Sequence, residues 1–423
     1  MKTLLMIADD FTGALDTGVQ FAARGARTRV VTDPAYDFSQ AEEDVQVLVL
    51  DAETRHLTPE AAYKVVFRAV RDALRAGFRY IYKKTDSALR GNIGAELTAV
   101  MDAAGADRLA FVPALPKMNR VTRGGVHYID GVPVAQSVFG QDPFEPVTAS
   151  SVAEIIGAQS QVPVVLRAPE TAEAGLRPGI QVFDAETDGD LTRIRRALGR
   201  EALRLSAGCA GFASELAELL ELRGTPPGLP CLAPSLFVAC GSVNPVTLRQ
   251  MEAAGKAGFP HVHLSPVQKL DALWLEAPDC AAAVRGWLSA AERERRFILD
   301  VNDPAGRDDT ARYAGERHLT TEDLRVRISA QLGRLVRRAL DGGLDATLLC
   351  TGGDTLLALT RAVGAAELTP VCELETGVVL TAFAYHGKTY HIVSKSGGFG
   401  EPDLFIRLAA FLGAGKQKEV AVC

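Results

Sequence analysis

The sequence predicts an α/β protein: two α/β domains with largely parallel sheets flanked by helices, and an active site in the interdomain cleft. Three observations lead there. Short β-rich runs alternate with helical stretches, a rhythm that belongs to parallel sheets covered by helices on both faces. The chain has 423 residues, a length for two domains or more, and a proline-rich break divides it. Charged, hydroxyl and glycine residues gather where strands give way to helices, which is where such sheets bind ligands.

In the first half, "TLLMIA" (3–8), "TRVVT" (28–32), "VQVLVLD" (45–51), "RYIYK" (79–83) and "LAFVPAL" (109–115) read as strands. The clearest helix is "TPEAAYKVVFRAVRDALRAG": Thr58 can cap it, Pro59 suits its first position and Gly77 can end it. "HYIDGVPV" (127–134) sets Asp130-Gly131 between apolar residues, so a small antiparallel excursion follows the fifth strand. Ser151 with Glu154 forms a capping-box pattern, and "VPVVL" and "IQVFDAE" add strands. "RGTPPGLPCLAPS" (223–235) holds four prolines and two glycines, too many for any regular element. It is the expected linker between a domain of residues 1–222 and a domain of residues 236–423. The second half resumes with "SLFVAC" (235–240), a helix over 245–257, "FILDVND" (297–303), a helix over 321–341 and "ATLLCTGGDT" (346–355). "AFAYHG" and "TYHIVSKS" flank a turn near Gly387, "PDLFIRLAAFLG" is a final helix, and the tail "KQKEVAVC" reads as frayed.

Composition narrows the function. Apolar residues make up 47% and charged residues 23%, as in ordinary soluble enzymes. A net charge of −6 argues against nucleic acid or an anionic membrane as partner, so an anionic substrate would need a local basic cluster. No apolar stretch has the length of a membrane span, and the start "MKTLLMIADD" is too short in its apolar run for a signal peptide. Seven cysteines, scattered and without C-x-x-C spacing, read as buried free thiols of a cytoplasmic protein. The seven histidines show no metal-ligand spacing, and any metal ligands are left unassigned.

The polar groups collect at strand ends. Strand one is followed by "ADDFTGALDTG" with Asp9, Asp10 and Thr12; strand three by "DAETRH" with Asp51, Thr54, Arg55 and His56; strand four by "KKTDSALRGNIG". The three clusters should share one rim. Lys84, Arg55 and Arg90 supply positive charge for a carboxylate, helix N-terminal amides add a dipole, and Asp9, Asp10 and Asp86 can accept bonds from substrate hydroxyls. Thr85 and Ser87 add hydroxyls, and one carboxylate, Asp86 or Asp9, can take a proton as general base. A single Ser or Asp at such a corner is ordinarily a helix cap, and Arg55 alone could be a surface residue. Adjacent carboxylates after a buried strand are harder to dismiss, because they repel each other. His56 and His127 lie near the rim, where a structural role is the ordinary one.

The second half has glycine corners of its own: "CGSVNPVT" (240–247), "TGGDT" (351–355) and "SKSGGFGEPD" (394–403). One such loop is ordinarily a tight turn. Two that follow apolar strands and precede helices, with a third beside them, point to phosphate oxygens held by backbone N–H groups. Ser242, Thr355 and Ser396 could add hydroxyl contacts, and Lys395 could sit near phosphate or in solvent. No Walker A sequence is present, Gly415-Lys416 being a decoy, and neither G-x-G-x-x-G nor G-x-S-x-G appears.

The motifs "IADDFTGALDTG", "KKTDSALRGNIGAEL", "CGSVNPVT", "TGGDT" and "SKSGGFGEPDLF" resemble the four-carbon acid sugar kinases, a family that includes D-threonate, D-erythronate and 3-oxo-tetronate kinases. The resemblance covers nearly the whole chain. It implies an ATP-dependent kinase, with Mg2+, that phosphorylates the terminal 4-hydroxyl of a sugar acid held by the N-terminal domain. Carried over by position, Asp9, Asp10, Arg55 and the Lys84–Ser87 run, with Arg90 beside it, look like substrate contacts. Ser242, Gly352, Gly353, Asp354, Thr355 and Gly398 look like ATP contacts, and Gly397 is expected beside them. The chain reads Gly397-Gly398 where the family often has an Asn, and it strays from the family pattern over 113–131 and at "ETGVV". These departures bear on which acid is used; D-threonate is the first choice, with erythronate and 3-oxo-tetronate as alternatives. The partners expected are the acid and ATP, and a homodimer is compatible with the sequence. Two other classes stay open on the residues alone: a nucleotide-dependent dehydrogenase, disfavoured by the missing G-x-G-x-x-G, and a non-catalytic sugar-acid sensor.

Overall fold

The computed structural model describes residues 2–142, 145–395 and 397–414. Ser396, the Gly415-Lys416 pair, the expected frayed tail and Cys423 lie outside the described residues. The chain divides into two compact units, Met1–Pro227 and Gly228–Cys423, with the division inside the proline-rich 223–235 stretch.

The first unit contains β1 (Leu4–Ala8), β2 (Thr28–Val31), β3 (Val47–Asp51), β4 (Tyr80–Lys84) and β5 (Arg108–Val112). The short strands β6 (Arg120–Arg123), β7 (Val126–Ile129) and β8 (Val132–Pro133) come next, then β9 (Val164–Arg167), β10 (Gly179–Phe183) and β11 (Leu205–Gly208). Eight of these run parallel in the order β2-β3-β1-β4-β11-β5-β10-β9. β1 is wholly buried, and its alternate residues serve two faces. Leu5 and Ile7 join Leu48, Leu50 and Ile81 in one core with Val66, Val70, Leu97 and Val100 from helices Pro59–Arg75 and Ile93–Ala104. Leu4 and Met6 are equally buried on the opposite face. After β2 and β3 lie on one side of β1, the chain crosses to β4 on its other side, and that reversal places a crevice at the carboxyl end of β1.

Thr58 caps helix Pro59–Arg75 and Ser151 caps helix Val152–Gly157, each at the residue the sequence indicates. Asp130-Gly131 turns β7 into β8, and β6 completes a small antiparallel sheet. The polar corner at 84–90 differs from expectation. The next helix starts only at Ile93, so residues 85–92 form a loop rather than a helix entrance. That loop is held by Asp86, whose Oδ2 accepts the backbone N–H groups of Ala88 (3.2 Å) and Arg90 (3.3 Å).

The second unit contains β12 (Leu236–Cys240), β13 (His261–His263), β14 (Arg296–Asp300), β15 (Thr347–Thr351), β16 (Glu367–Glu375), β17 (Val378–Tyr385) and β18 (Lys388–Lys395). Its order is β13-β14-β12-β15-β18-β17-β16, parallel as far as β18 and antiparallel beyond. Val238, Leu349, Val378, Leu380 and Val393 meet Met251, Leu404 and Phe405 in its core. Helices Pro245–Lys256 and Thr321–Asp341 and the hairpin at Gly387 match expectation; strands β11, β13 and β16 and helices Asp188–Ala202 and Pro278–Glu294 were not anticipated. Five of the described cysteines are buried and free, whereas Cys231, in the proline-rich stretch, is exposed. Among the described residues no helix is long and apolar enough to cross a membrane.

Candidate active site

β3, β1 and β4 are neighbours, so their carboxyl ends bring the three predicted clusters together. Asp10 caps helix Phe11–Ala22 by accepting the Gly13 N–H at 3.0 Å, so it has the ordinary capping role as well as a place in the site. Arg55 is buried, 8% exposed, and not a surface residue. Its guanidinium reaches Asp9 Oδ2 through Nε at 2.8 Å, Asp10 Oδ1 at 2.8 Å and Asp86 Oδ1 at 3.6 Å. Lys84 Nζ lies 3.6 Å from Asp9 Oδ1 and 4.0 Å from Asp10 Oδ1. Arg90 grips Asp86 in a fork, Nε to Oδ2 at 2.9 Å and a terminal nitrogen to Oδ1 at 3.2 Å, and reaches Asp142 at 3.1 Å.

The electrostatics follow from this packing. Burial alone would raise the Asp9 carboxyl, but Arg55, Lys84 and Lys83 outweigh it and bring its pKa down to about 2. For Asp86 burial is again overcome, by Arg90, Arg55 and Lys84, and the carboxyl is held well below the usual carboxylate range. Burial works against the charge of Arg55, and the three aspartates raise its pKa well above the ordinary value. Arg55 and Lys84 are thus already engaged by protein carboxylates. The two candidate bases also differ. Asp86 accepts bonds on both oxygens, whereas Asp9 Oδ1 is buried and has no hydrogen-bond donor on it.

Several contributors escaped sequence reasoning. Lys83 is fully buried and paired with Glu96 at 3.1 Å; Glu96 also receives the Thr54 hydroxyl. Asn92 fixes the Arg55 loop by donating to Thr54 O (2.8 Å) and Leu57 O (2.9 Å). Thr85 continues the β4–β11 pairing through its N–H to Gly208 O at 2.8 Å, and its buried hydroxyl has no partner. Ser87 accepts a bond on its hydroxyl from Arg120. His127 lies beneath: its Nε2 meets Ser87 O at 2.9 Å and its Nδ1 meets the Thr122 hydroxyl at 3.0 Å. A carbonyl only accepts, so Nε2 carries the proton. His56 pairs with Glu145 beside a partly open cavity of about 340 Å³ that borders the cluster, with Arg55 and Arg90 but also Glu145 and Glu154 on its wall.

In the second unit, β12, β15 and β18 are adjacent, so the three glycine loops at their carboxyl ends also converge. Ser242 Oγ accepts the Asn244 N–H at 3.2 Å, and Asn244 caps helix Pro245–Lys256. Gly241 packs so closely on Thr355 that a Cβ there would overlap the Thr355 hydroxyl. Gly352 has φ +90, where an L side chain is strained, and opens helix Gly353–Val363 with no side-chain cap. A Cβ on Gly397 would meet Ser242 Oγ at 2.9 Å, and Gly398 lies near Asn244. Gln250 gathers the same loop by donating to Phe399 O, Gly400 O and Glu401 O at 3.0, 2.8 and 3.0 Å. Lys395 is buried, not solvated; burial pulls its pKa down to about 8, and its Nζ donates to Thr247 Oγ1 and Gly397 O, both at 3.0 Å. Asp354 pairs with Arg325 at 3.0 Å.

The expectation of no metal-ligand arrangement among the histidines needs correction. His261 and His263 share one face of β13, register sets Asp300 of β14 beside them, and their ligand atoms lie within 4.8 Å of one another. A spacing of two residues on an edge strand carries no signature until the neighbouring strand is known.

Residues 4–216 match a sugar-binding N-terminal domain and residues 237–405 a nucleotide-binding C-terminal domain. The chain is 30% identical to a D-threonate kinase of Salmonella typhimurium over 94% of this chain and 95% of the relative. It is 31% identical to a D-threonate kinase of Bordetella bronchiseptica, covering 96% of each, and 29% identical to a D-erythronate kinase of Heliobacterium modesticaldum, covering 95% of each. A crystal structure from Salmonella typhimurium LT2 shares the fold at a TM-score of 0.80 and 22% identity, covering 96% of this chain and 99% of that one. The chain therefore belongs to the four-carbon acid sugar kinases, phosphotransferases that join a sugar-binding domain to a nucleotide-binding one.

Proposed function

We propose that the protein transfers the γ-phosphoryl group of ATP to the terminal hydroxyl of a four-carbon sugar acid, with D-threonate as substrate. The observation that carries this is the pairing, in one chain, of a buried aspartate–lysine–arginine cluster in a sugar-binding domain with three converging glycine loops in a nucleotide-binding domain. The D-threonate kinases among its relatives favour that acid, and the D-erythronate kinase keeps its diastereomer as the second reading.

In this reading the amides at the start of helix Gly353–Val363 and the loops at Ser242 and Gly397–Gly398 cradle the triphosphate. Lys395, with its proton loosely held, becomes fully charged when phosphate arrives. Mg2+ suits hard oxygen donors and is commonly bound through one or two carboxylates together with the phosphates; Asp354 and Thr355 offer such oxygens, and the ion would neutralise phosphate charge. On the acid side, Asp9 Oδ1 accepts the proton of the terminal hydroxyl, and Lys84 steadies the charge beside it. A carboxylate with a pKa of about 2 is a weak base, which suffices because phosphoryl transfer has a loose transition state. Most of the acceleration comes from positioning and charge neutralisation, and transfer requires the hydroxyl to be brought within reach of the γ-phosphorus with water excluded.

The test is coupled ADP release over D- and L-threonate, D- and L-erythronate and the 3-oxo-tetronates, with phosphorus NMR of the product. D-Threonate should give the highest kcat/KM and a phosphate on the terminal oxygen. No ADP release with any acid would overturn the reading.

A further inference from the structure

A substrate carboxylate needs a cation that the protein has not already matched. Within the acid-side cluster Lys83 has Glu96, Lys84 and Arg55 have Asp9 and Asp10, and Arg90 has Asp86 and Asp142. Arg120 is the exception. Among the described residues no carboxylate forms an ion pair with it, and its one polar partner is the Ser87 hydroxyl. Asp86 is near enough to favour its charge but is already gripped by Arg90.

Arg120 is nonetheless held in place. Its guanidinium stacks over the Phe139 ring at 5.2 Å, and Arg90 stacks on the same ring at 5.1 Å. Ser87, which it touches, is fixed from below by His127, itself fixed by Thr122. Arg120 and Thr122 come from β6 and His127 from β7, so pairing of the two strands brings the guanidinium and its support to one place. Burial pulls its pKa down, and the nearby Asp86 and Asp130 only partly offset it. A half-buried guanidinium with one side-chain hydrogen-bond partner and no ion-paired carboxylate suits an anion, and its planar fork matches a carboxylate.

We propose that Arg120, with the Ser87 hydroxyl, is the subsite that binds the carboxylate of the sugar acid, and that Arg55 is a positioning residue that holds Asp9, Asp10 and Asp86 in place. The proposal rests on the sugar-acid reading above and goes beyond it by naming the group that selects an acid over an alcohol. It leaves Asp9 and Lys84 to meet the hydroxyl end of the substrate.

The experiment compares wild type, Arg120→Gln and Arg120→Lys on D-threonate and on its neutral amide, with the melting temperature of each protein as a control. Wild type should prefer the acid to the amide. In R120Q, kcat/KM for the acid should fall about 100-fold, as for loss of one partner of a desolvated charge pair, while that for the amide changes little. R120K should recover part of the preference, since it restores charge without the fork. The melting temperature of R120Q should stay near wild type, because no protein carboxylate loses its partner. An acid-over-amide preference kept in active R120Q, or equal losses on both substrates, overturns the subsite alone. A wild-type protein that phosphorylates neither compound, nor any acid of the ADP-release panel, overturns the functional reading and the subsite with it. Should R120Q not fold, the acid-to-amide ratio of R120K decides: an unchanged ratio refutes the proposal.

Discussion

Asp9 and Asp86 belong to one charged cluster yet offer different chemistry, because their neighbours use different numbers of their oxygens. Asp86 holds a loop and an arginine with both oxygens; Asp9 has a buried Oδ1 that accepts no hydrogen bond, beside Lys84. His127 shows the same logic in stability. It is wholly buried, and burial pulls its pKa down from 6.5 to about 4. Between those values the unfolded chain takes up a proton that the folded one refuses. The stability due to this group is therefore intact above pH 6.5 and is lost as pH falls toward about 4. The shift corresponds to roughly 3 kcal/mol. His127→Gln, which can still donate to Ser87 O, should flatten urea-measured stability between pH 6.5 and 4 by about that amount. Identical slopes for variant and wild type would mean that His127 does not set the acid limb. Losses below pH 3.8 would instead belong to groups such as Asp9, whose contribution is complete above 3.8 and drains away as pH falls toward about 2.

At the level of elements, the readable parts of the sequence were those governed by local rules. The cap at Thr58, the Asp130-Gly131 turn and the buried runs of β1, β3 and β4 are decided within a few residues, and all are present. What stayed hidden depends on strands meeting from afar. Arg120 looks like any arginine in a hairpin until β6 is laid beside Ser87, and the Lys83–Glu96 pair needs β4 and its following helix packed together. β13 has three residues, too few to show a period, and β11 ends in Ser-Ala-Gly, which reads as loop. The glycine loops fall between these cases: their residues were legible as tight turns at strand ends, their convergence was not. Gly241→Ala tests that convergence. The new Cβ would strike the Thr355 hydroxyl and push the β12 loop off the start of helix Gly353–Val363. It should cost about 1–3 kcal/mol of stability and weaken ATP binding. Adding Thr355→Ala should recover part of the melting temperature, since only the Thr355 Cβ at 3.2 Å then remains in the way. A double variant no more stable than Gly241→Ala alone would show that the contact is not what requires glycine.

Across the whole molecule, the sugar-binding and nucleotide-binding domains are built from different halves of the chain, each with its own core. Variants of the acid side should therefore alter turnover without altering ATP affinity, and the two aspartates should do so differently. Asp9→Asn replaces the unpartnered carboxylate next to Lys84, so kcat should fall about 100-fold or more with little change in the KM for the acid. Asp86→Asn also lowers turnover but acts through position. It weakens the grip on Arg90, takes one partner from Arg55 and loosens the 85–92 loop, so KM for the acid should rise and stability should drop by about 3 kcal/mol. Calorimetric titration of ATP into each variant, beside steady-state kinetics, separates the possibilities. Unchanged ATP affinity with collapsed kcat in Asp9→Asn assigns proton acceptance to Asp9. Near-normal turnover in that variant, with collapse confined to Asp86→Asn, would move the role to Asp86, and a parallel loss of ATP affinity in both would refute the division of labour between the halves.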